Sequence, residues 1–185
     1  MTAVLFCSTC GARLPHAPPV TCAECATSHW LNPKPCANAI VVENAKVLLV
    51  RRGNTAAPWY GSWCAPGGFC EVGEHPIATA EREVREETGL AVTVTGYIGV
   101  WVDEYATEPG RGDAETINVA YYHAVRAGED EGSFDAAEVS ELGWFHWDRV
   151  PADLAPPGTL ETVLAAARWL LAETAGVSPL PDRPR

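Results

Sequence analysis

The 185-residue sequence predicts an α/β fold of mixed strands and two helices, preceded by a small separate module. Three observations carry this. The opening stretch, residues 1–35, is rich in Cys, Pro and Gly and shows no regular hydrophobic period. From residue 36 onward, β-branched runs recur between loops rich in Gly, Pro and acidic residues. Two stretches, 76–88 and 159–174, have helical periodicity with recognisable end signals. The expected organisation is a module at 1–35, a main domain at 36–176 and a flexible tail at 177–185.

The module comes first. "CSTCGARLPHAPPVTCAEC" sets Cys7 and Cys10 in one C-x2-C pair and Cys22 and Cys25 in another. Two such turns present four thiolates, a complete tetrahedral zinc site with no open position, so the zinc is expected to be structural. Gly11 relieves the first turn. So short a segment has little core, and the metal would supply much of its folding free energy. A redox pair is the weaker alternative, as is replacement of a cysteine ligand by His16 or His29. Cys36, Cys64 and Cys70 have no such partners and are expected to pack as small apolar residues.

"ANAIVVENAKVLLVRR" reads as a hairpin turning at Glu43-Asn44. "GNTAAPWYGSWCAPGGFCEVGEHP" reads as loop. Pro76 suits the first position of a helix that runs to Thr88, and Gly89 closes it. "AVTVTGYIGVWV" is a strand with Gly96 and Gly99 as bulge sites. "DEYATEPGRGDAE" is a loop and "TINVAYYHAV" a strand. "RAGEDEGSFDAAEVSE" is an acidic loop and "LGWFHWDRV" a last strand. "TLETVLAAARWLLAET" is an amphipathic helix with Thr159 as its cap.

Composition bounds the function. Hydrophobic residues make up 47% of the chain, enough for a core. A formal charge of -11 disfavours nucleic acid and anionic membrane as general partners. An acidic protein that takes a polyphosphate needs cations between the two. No apolar run reaches the length of a membrane span, and the N-terminus lacks the pattern of a secretory signal. Seven cysteines, four of them in close pairs, suit a reduced compartment, so a cytoplasmic protein is expected.

The first helix gathers charge. Helical residues turn by about 100° each. With Val84 as zero, Ile77, Ala80 and Thr88 fall within about 40° and form the expected core stripe. Glu83, Glu86 and Glu87 fill an arc of about 100° beside it, while Glu81 and Arg85 are spaced to pair on the other flank. Like charges one turn apart cost only about 0.2–0.5 kcal/mol on an exposed helix. Alone, the pattern suits a solvated acidic face as well as a cation site.

The wider pattern separates these readings. Gly68 to Leu90 reads G-x5-E-x7-R-E-V-x-E-E-x-G-L, with Glu74, Arg82-Glu83-Val84, Glu86-Glu87 and Gly89-Leu90 at the fixed positions. This resembles the box of the Nudix hydrolases, and the resemblance extends over roughly residues 37–173. It implies the Nudix α/β/α sandwich with a mixed sheet, the box forming a loop-helix-loop. It implies Mg2+ or Mn2+ held by Glu83, Glu86, Glu87 and the Gly68 carbonyl, with a structural ion pair between Glu74 and Arg82. Oxygen ligands of this type suit hard divalent cations. In "EVSELGWFHW", Glu141 resembles the family's late metal-binding glutamate; an exposed loop-end carboxylate is the other reading. Glu86 and Glu141 are the candidates for the general base.

A zinc ribbon ahead of such a domain is similar to the bacterial NADH pyrophosphatases and to a related set acting on FAD or ADP-ribose. "HWLNPKPCANAIVV" is similar to the passage joining ribbon and domain in both. The Ser-Gln-Pro-Trp-Pro-Phe-Pro run of the NADH group is absent after this box. The expectation is hydrolysis of a diphosphate linkage in a small nucleotide-diphosphate substrate such as NAD(H), FAD or ADP-ribose. A nucleoside triphosphate pyrophosphohydrolase and a ligand-sensing or RNA-associated module are the alternatives. Arg51 and Arg52 are candidates for phosphate, and Trp59, Tyr60, Trp63, Trp101 and Tyr105 for stacking on a ring. The resemblance also implies homodimers, with ribbon or hairpin as candidate interfaces.

Overall fold

The computed structural model describes residues 5–30, 32–105, 115–128 and 135–174. The expected tail at 177–185 lies outside them, as does most of the loop after residue 105. The chain divides into two compact units, Met1–Pro33 and Lys34–Arg185.

In the first unit, β1 (Val20–Thr21) pairs antiparallel with β2 (Ser28–His29). Each cysteine pair turns back on itself. The Gly11 N–H donates to Cys7 O at 2.9 Å, and the Ala26 N–H donates to Cys22 O at 2.9 Å. Gly11 and Ala26 hold equivalent left-handed conformations, at φ 74 and 59. The buried centre is Cys7, Leu14, Val20 and Cys22. So small an apolar cluster leaves much of the stabilisation to the cysteine centre.

In the second unit, β3 (Lys34–Glu43) and β4 (Lys46–Arg52) form the expected hairpin. Its two-residue turn is Asn44-Ala45, one residue later than expected because Glu43 pairs with Lys46; φ of 50 and 59 is the primed geometry that matches strand twist. β3 is central. It pairs antiparallel with β4 and with β6 (Gly67–Phe69), and parallel with β8 (Glu115–Arg126). β8 pairs antiparallel with β7 (Val92–Tyr105), while β4 also pairs with β5 (Trp63–Cys64) and β9 (Val139–His146). Register slips between Val94 and Gly96 and between Tyr97 and Gly99, where bulges are expected.

Alternation along β3 builds two cores. Ala37, Ala39 and Val41 face α1 (Pro76–Thr88), meeting Ala80 and Val84. Cys36 and Ile40 face the other way, in the core that includes Leu160, Val163 and Leu164 of α2 (Thr159–Thr174). A mixed sheet is thus buried on both faces, a helix against each. Small alanines on β3 let α1 approach closely, which brings the acidic flank of that helix beside the strand ends. Among the described residues, no helix is long and apolar enough to cross a membrane.

Several local expectations are corrected. β3 starts at Lys34, two residues before the expected boundary, because its parallel partner reaches Ile117. The long loop after β4 contains the short strands β5 and β6. β9 begins at Val139 and ends at His146, since pairing with β4 extends it backward and a turn follows it. Ile77 is 37% exposed instead of lying in the core stripe. The fully buried residue of that first turn is Thr79, whose hydroxyl donates to Glu74 Oε2 at 2.8 Å. Glu81 accepts from the Val94 N–H at 2.8 Å and does not pair with Arg85. Thr159 is the first residue of α2, and its hydroxyl donates to Asp103 Oδ1 at 2.9 Å instead of capping the helix.

Gly89 ends α1 at φ 72, ψ 4 and donates its N–H to Arg85 O. A Cβ in that conformation costs about 1–2 kcal/mol. Gly89→Ala is therefore expected to lower Tm by about 2–8 °C, read by circular dichroism.

Candidate functional site

In the first unit the four cysteine sulfurs all lie within 4.8 Å of one another. Cys7 Sγ is 3.5 Å from Cys25 Sγ, and Cys10 Sγ is 3.7 Å from Cys22 Sγ. A tetrahedron with zinc–sulfur bonds of about 2.3 Å has an edge of about 3.8 Å, so the quartet fits one metal ion with four soft ligands. His29 Nε2 stands 3.2 Å from Cys7 Sγ, beside the quartet. Such a neighbour orients a thiolate without replacing it.

In the second unit a cleft of about 290 Å³ opens beside the N-terminal part of β3. Gly67, Gly68, Glu83, Glu87 and Glu138 form its polar side. Ile117, Val119, Tyr121, Ala155 and Pro156 form an apolar part, and Arg52 and Trp59 line it as well.

The glycine loop is fixed at several points. The Ala39 N–H donates to Pro66 O at 2.9 Å, and Asn38 Nδ2 donates to Ala65 O at 3.1 Å. The Gly67 N–H donates to Glu87 Oε2 at 2.9 Å. Gly67 sits at φ 154, and a Cβ there would lie 2.5 Å from Ala37 O. A Cβ on Gly68 would lie 2.6 Å from the Glu83 carboxylate. Only glycines let the backbone come this close to a charged oxygen.

Arg82 ties helix to loop. Its Nε donates to Glu74 Oε1 at 2.9 Å and its Nη2 to Glu74 Oε2 at 3.0 Å. Its Nη1 donates to Glu83 Oε1 at 2.8 Å and to Glu86 Oε2 at 2.9 Å, while Nη2 also reaches Phe69 O at 3.2 Å. Arg82's hydrogen bonds, with help from the Glu71 N–H and Thr79, hold the Glu74 carboxyl down at about 2.

Glu83 and Glu87 both shift the opposite way from Glu74. Burial pushes Glu83 up, against the pull of Arg82. Burial pushes Glu87 up to about 8, opposed by the Gly67 N–H and assisted by Glu83. Glu87 is only 8% exposed. Two desolvated carboxylates beside a side-chain-free loop make an oxygen donor set that a hard divalent cation neutralises. Glu86 does not line the cleft, and among the described residues only the four cysteines bring three or more metal-binding side chains together; Glu83 and Glu87 are the cleft donors that suit a hard divalent cation.

The structure separates the other candidates. Arg52 lines the cleft, whereas Arg51 donates to Gly61 O at 2.8 Å and to Glu141 Oε2 at 3.3 Å. Arg51 and Glu141 are directly opposed across β4 and β9, so they share a face. Arg52 points to the other face, that of the cleft. The late carboxylate brought to the cleft is thus Glu138, not Glu141. Glu138 precedes β9, whose register shifts opposite Arg51 and Arg52, so no alternation in the sequence marks it. Tyr60 is 58% exposed and off the cleft. Trp63 packs edge-on against Phe145 in the core, and Trp101 packs edge-on against Tyr121. The side chain of Tyr105 lies outside the described residues.

Comparison with known proteins shows the family. The profile of the NUDIX domain matches residues 33–166. The chain belongs to the Nudix family. It is 32% identical over 162 residues to the NAD-capped RNA hydrolase NudC of Vibrio vulnificus, covering 86% of this chain and 57% of that protein. It is 33% identical over 110 residues to the ADP-ribose pyrophosphatase of Methanocaldococcus jannaschii, covering 59% of this chain and 61% of that protein. The chain thus spans somewhat more than half the length of these curated relatives. The crystal structure of a NUDIX hydrolase from Nitrosomonas europaea superposes with a TM-score of 0.71 at 26% identity, covering 97% of this chain and 96% of that one.

Glu87 makes stability depend on pH. Between its ordinary value of 4.5 and about 8, the folded chain holds a proton that the unfolded chain has lost. Folding is then opposed increasingly as pH rises through that window. Without divalent metal, the Tm of Glu87→Gln is expected to gain on the parent by about 2–4 °C or more between pH 5 and 8. Added Mg2+ or Mn2+ should narrow the gap at pH 8, read by thermal melts.

Proposed function

We propose that the second unit hydrolyses the diphosphate linkage of a nucleoside diphosphate derivative, such as NAD(H), FAD or ADP-ribose, with Mg2+ or Mn2+. The observation that carries this is the pair of carboxylates, half-buried Glu83 and buried Glu87, packed against Gly67-Gly68 in a cleft with an apolar part. Glu83, Glu86, Glu87 and the Gly68 carbonyl are the proposed metal ligands, with the cleft residue Glu138 in place of Glu141. A bound divalent cation neutralises phosphoryl oxygens and lowers the pKa of water.

The chain's own residues do the rest. Glu86, whose side chain is 57% exposed at the Arg82 guanidinium, takes the proton of the attacking water. Water oxygen bonds to one phosphorus as the bridging P–O bond breaks, releasing a nucleoside monophosphate and the remaining phosphorylated half. Arg52 meets a phosphate of the substrate. The pair of Glu74 and Arg82 holds loop against helix. The first unit is proposed to hold one structural zinc through Cys7, Cys10, Cys22 and Cys25.

The names of the relatives support dinucleotide chemistry over triphosphates. They also make a dinucleotide at the end of an RNA a second candidate, against which the net charge of -11 weighs. A panel of NAD+, NADH, FAD, ADP-ribose, NAD-capped RNA and nucleoside triphosphates, read by product mass, separates these. No turnover on any of them would favour a sensing role. Elemental analysis is expected to find about one zinc per chain.

Glu86→Gln is expected to lower kcat about 10²–10⁴-fold. Its Tm should hardly move, because an exposed i,i+4 pair contributes only about 0.3–0.5 kcal/mol. Retention of most of kcat would transfer the base to Glu138.

A further inference from the structure

Trp59 has an unusual backbone. It sits in the left-handed region at φ 57, which a bulky side chain rarely adopts. Strain of this kind persists only where surrounding bonds enforce it, and it concentrates at ligand clamps. Here the enforcement is visible. The Gly61 N–H donates to Arg52 O at 2.9 Å, and the Arg52 N–H donates to Ser62 O at 3.0 Å. The Ser62 N–H donates to Trp59 O at 3.1 Å, and Arg52 Nε donates to Pro58 O at 2.9 Å. The Arg52 guanidinium carbon stands 5.9 Å from the centre of the Trp59 ring.

The result is an indole fixed at the cleft from the β4–β5 loop. The same cleft is lined by the apolar side chains of Ile117 and Val119, and by Glu83 and Glu87. Other aromatic candidates are committed elsewhere: Tyr60 to solvent, Trp63 to Phe145 and Trp101 to Tyr121. Phe69, which also lines the cleft, has the Lys34 ammonium 5.5 Å from its ring centre.

We propose that Trp59 is the specificity-determining residue of the cleft, stacking on the planar ring of a nucleoside monophosphate half of the substrate, with Arg52 as the positioning residue that holds the indole. This rests on the cleft being the nucleotide site argued above. A strained tryptophan held by a guanidinium is pre-organised, so stacking requires no rearrangement of the loop. The ring enters the apolar part, and the phosphate is left to Arg52 and the acidic side.

The test compares two probes that differ only in the ring, AMP and ribose 5-phosphate, by calorimetric titration with Mg2+. No turnover is involved, so its failure is separable from failure of the hydrolase reading. The parent protein is expected to bind AMP about 10-fold or more tightly than ribose 5-phosphate. Trp59→Gly removes the ring while relieving the backbone, and should bring that ratio below about 3 with ribose 5-phosphate affinity unchanged. Trp59→Phe should keep most of the ratio. Should Trp59→Gly not fold by thermal melt, Trp59→Leu, with apolar bulk and no π-face, gives the same reading. Nicotinamide mononucleotide as a third probe tells which half of a dinucleotide occupies the slot. The proposal is overturned if neither ring confers an advantage on the parent, or if that advantage survives in the glycine or leucine variant.

Discussion

One guanidinium organises the acidic helix. Arg82 donates to Glu74, Glu83, Glu86 and the Phe69 carbonyl, so loop, helix and cleft share a cation. The magnitudes favour this arrangement. Repulsion between carboxylates one turn apart is about 0.2–0.5 kcal/mol per pair, whereas a hydrogen bond to a charged group contributes about 1.5–3 kcal/mol. The side chains of Arg82, Glu74 and Glu83 are only 26%, 16% and 13% exposed, so solvent screens them less than a surface pair. What looks like frustrated charge along the sequence is therefore balanced in space. The balance leaves out Glu87, on the buried side of the helix, and that carboxylate is the one whose proton affinity departs furthest upward from an ordinary acid.

The chain holds two donor sets of different chemistry. The first unit gathers sulfur at tetrahedral spacing, while the cleft gathers carboxylate oxygen beside bare backbone. Two further thiols line the cleft, Cys36 and Cys64, and burial pushes both up to about 12. They stay protonated at neutral pH and are poor ligands for a soft ion. Burial thus keeps the two kinds of donor chemically distinct within one polypeptide.

Much of this was legible in the sequence, for identifiable reasons. Pro76 and Gly89 bracket α1 because each is suited to one end of a helix. The hairpin and the two bulges followed from alternation broken at Asn44, Gly96 and Gly99. The spacing of the box and of the paired cysteines marked where Glu83 and Glu87 and the four sulfurs gather. What escaped depended on partners distant in sequence. The choice between Glu138 and Glu141 is made by the register of β9 on β4, which sets Glu141 opposite Arg51. Burial of Thr79 depends on Glu74 folding back over the helix start, and the bond from Thr159 depends on Asp103, on β7. Local patterns encode local geometry; they do not say which face of a strand meets a cleft.

The parallel pairing of β3 with β8 has a consequence for how the molecule is assembled. Lys34 lies beside Ile117 and Val41 beside Ala124, so the sheet's centre joins segments far apart along the chain. The glycine loop and the whole of α1 lie within the span that this pairing closes. Closing so long a loop is entropically unfavourable before many contacts form, and folds dominated by such pairings cross their barrier slowly. During synthesis the acidic helix emerges well before the strand that completes the sheet beside it. The cleft is therefore a late product of folding, absent until the second half of the chain has arrived.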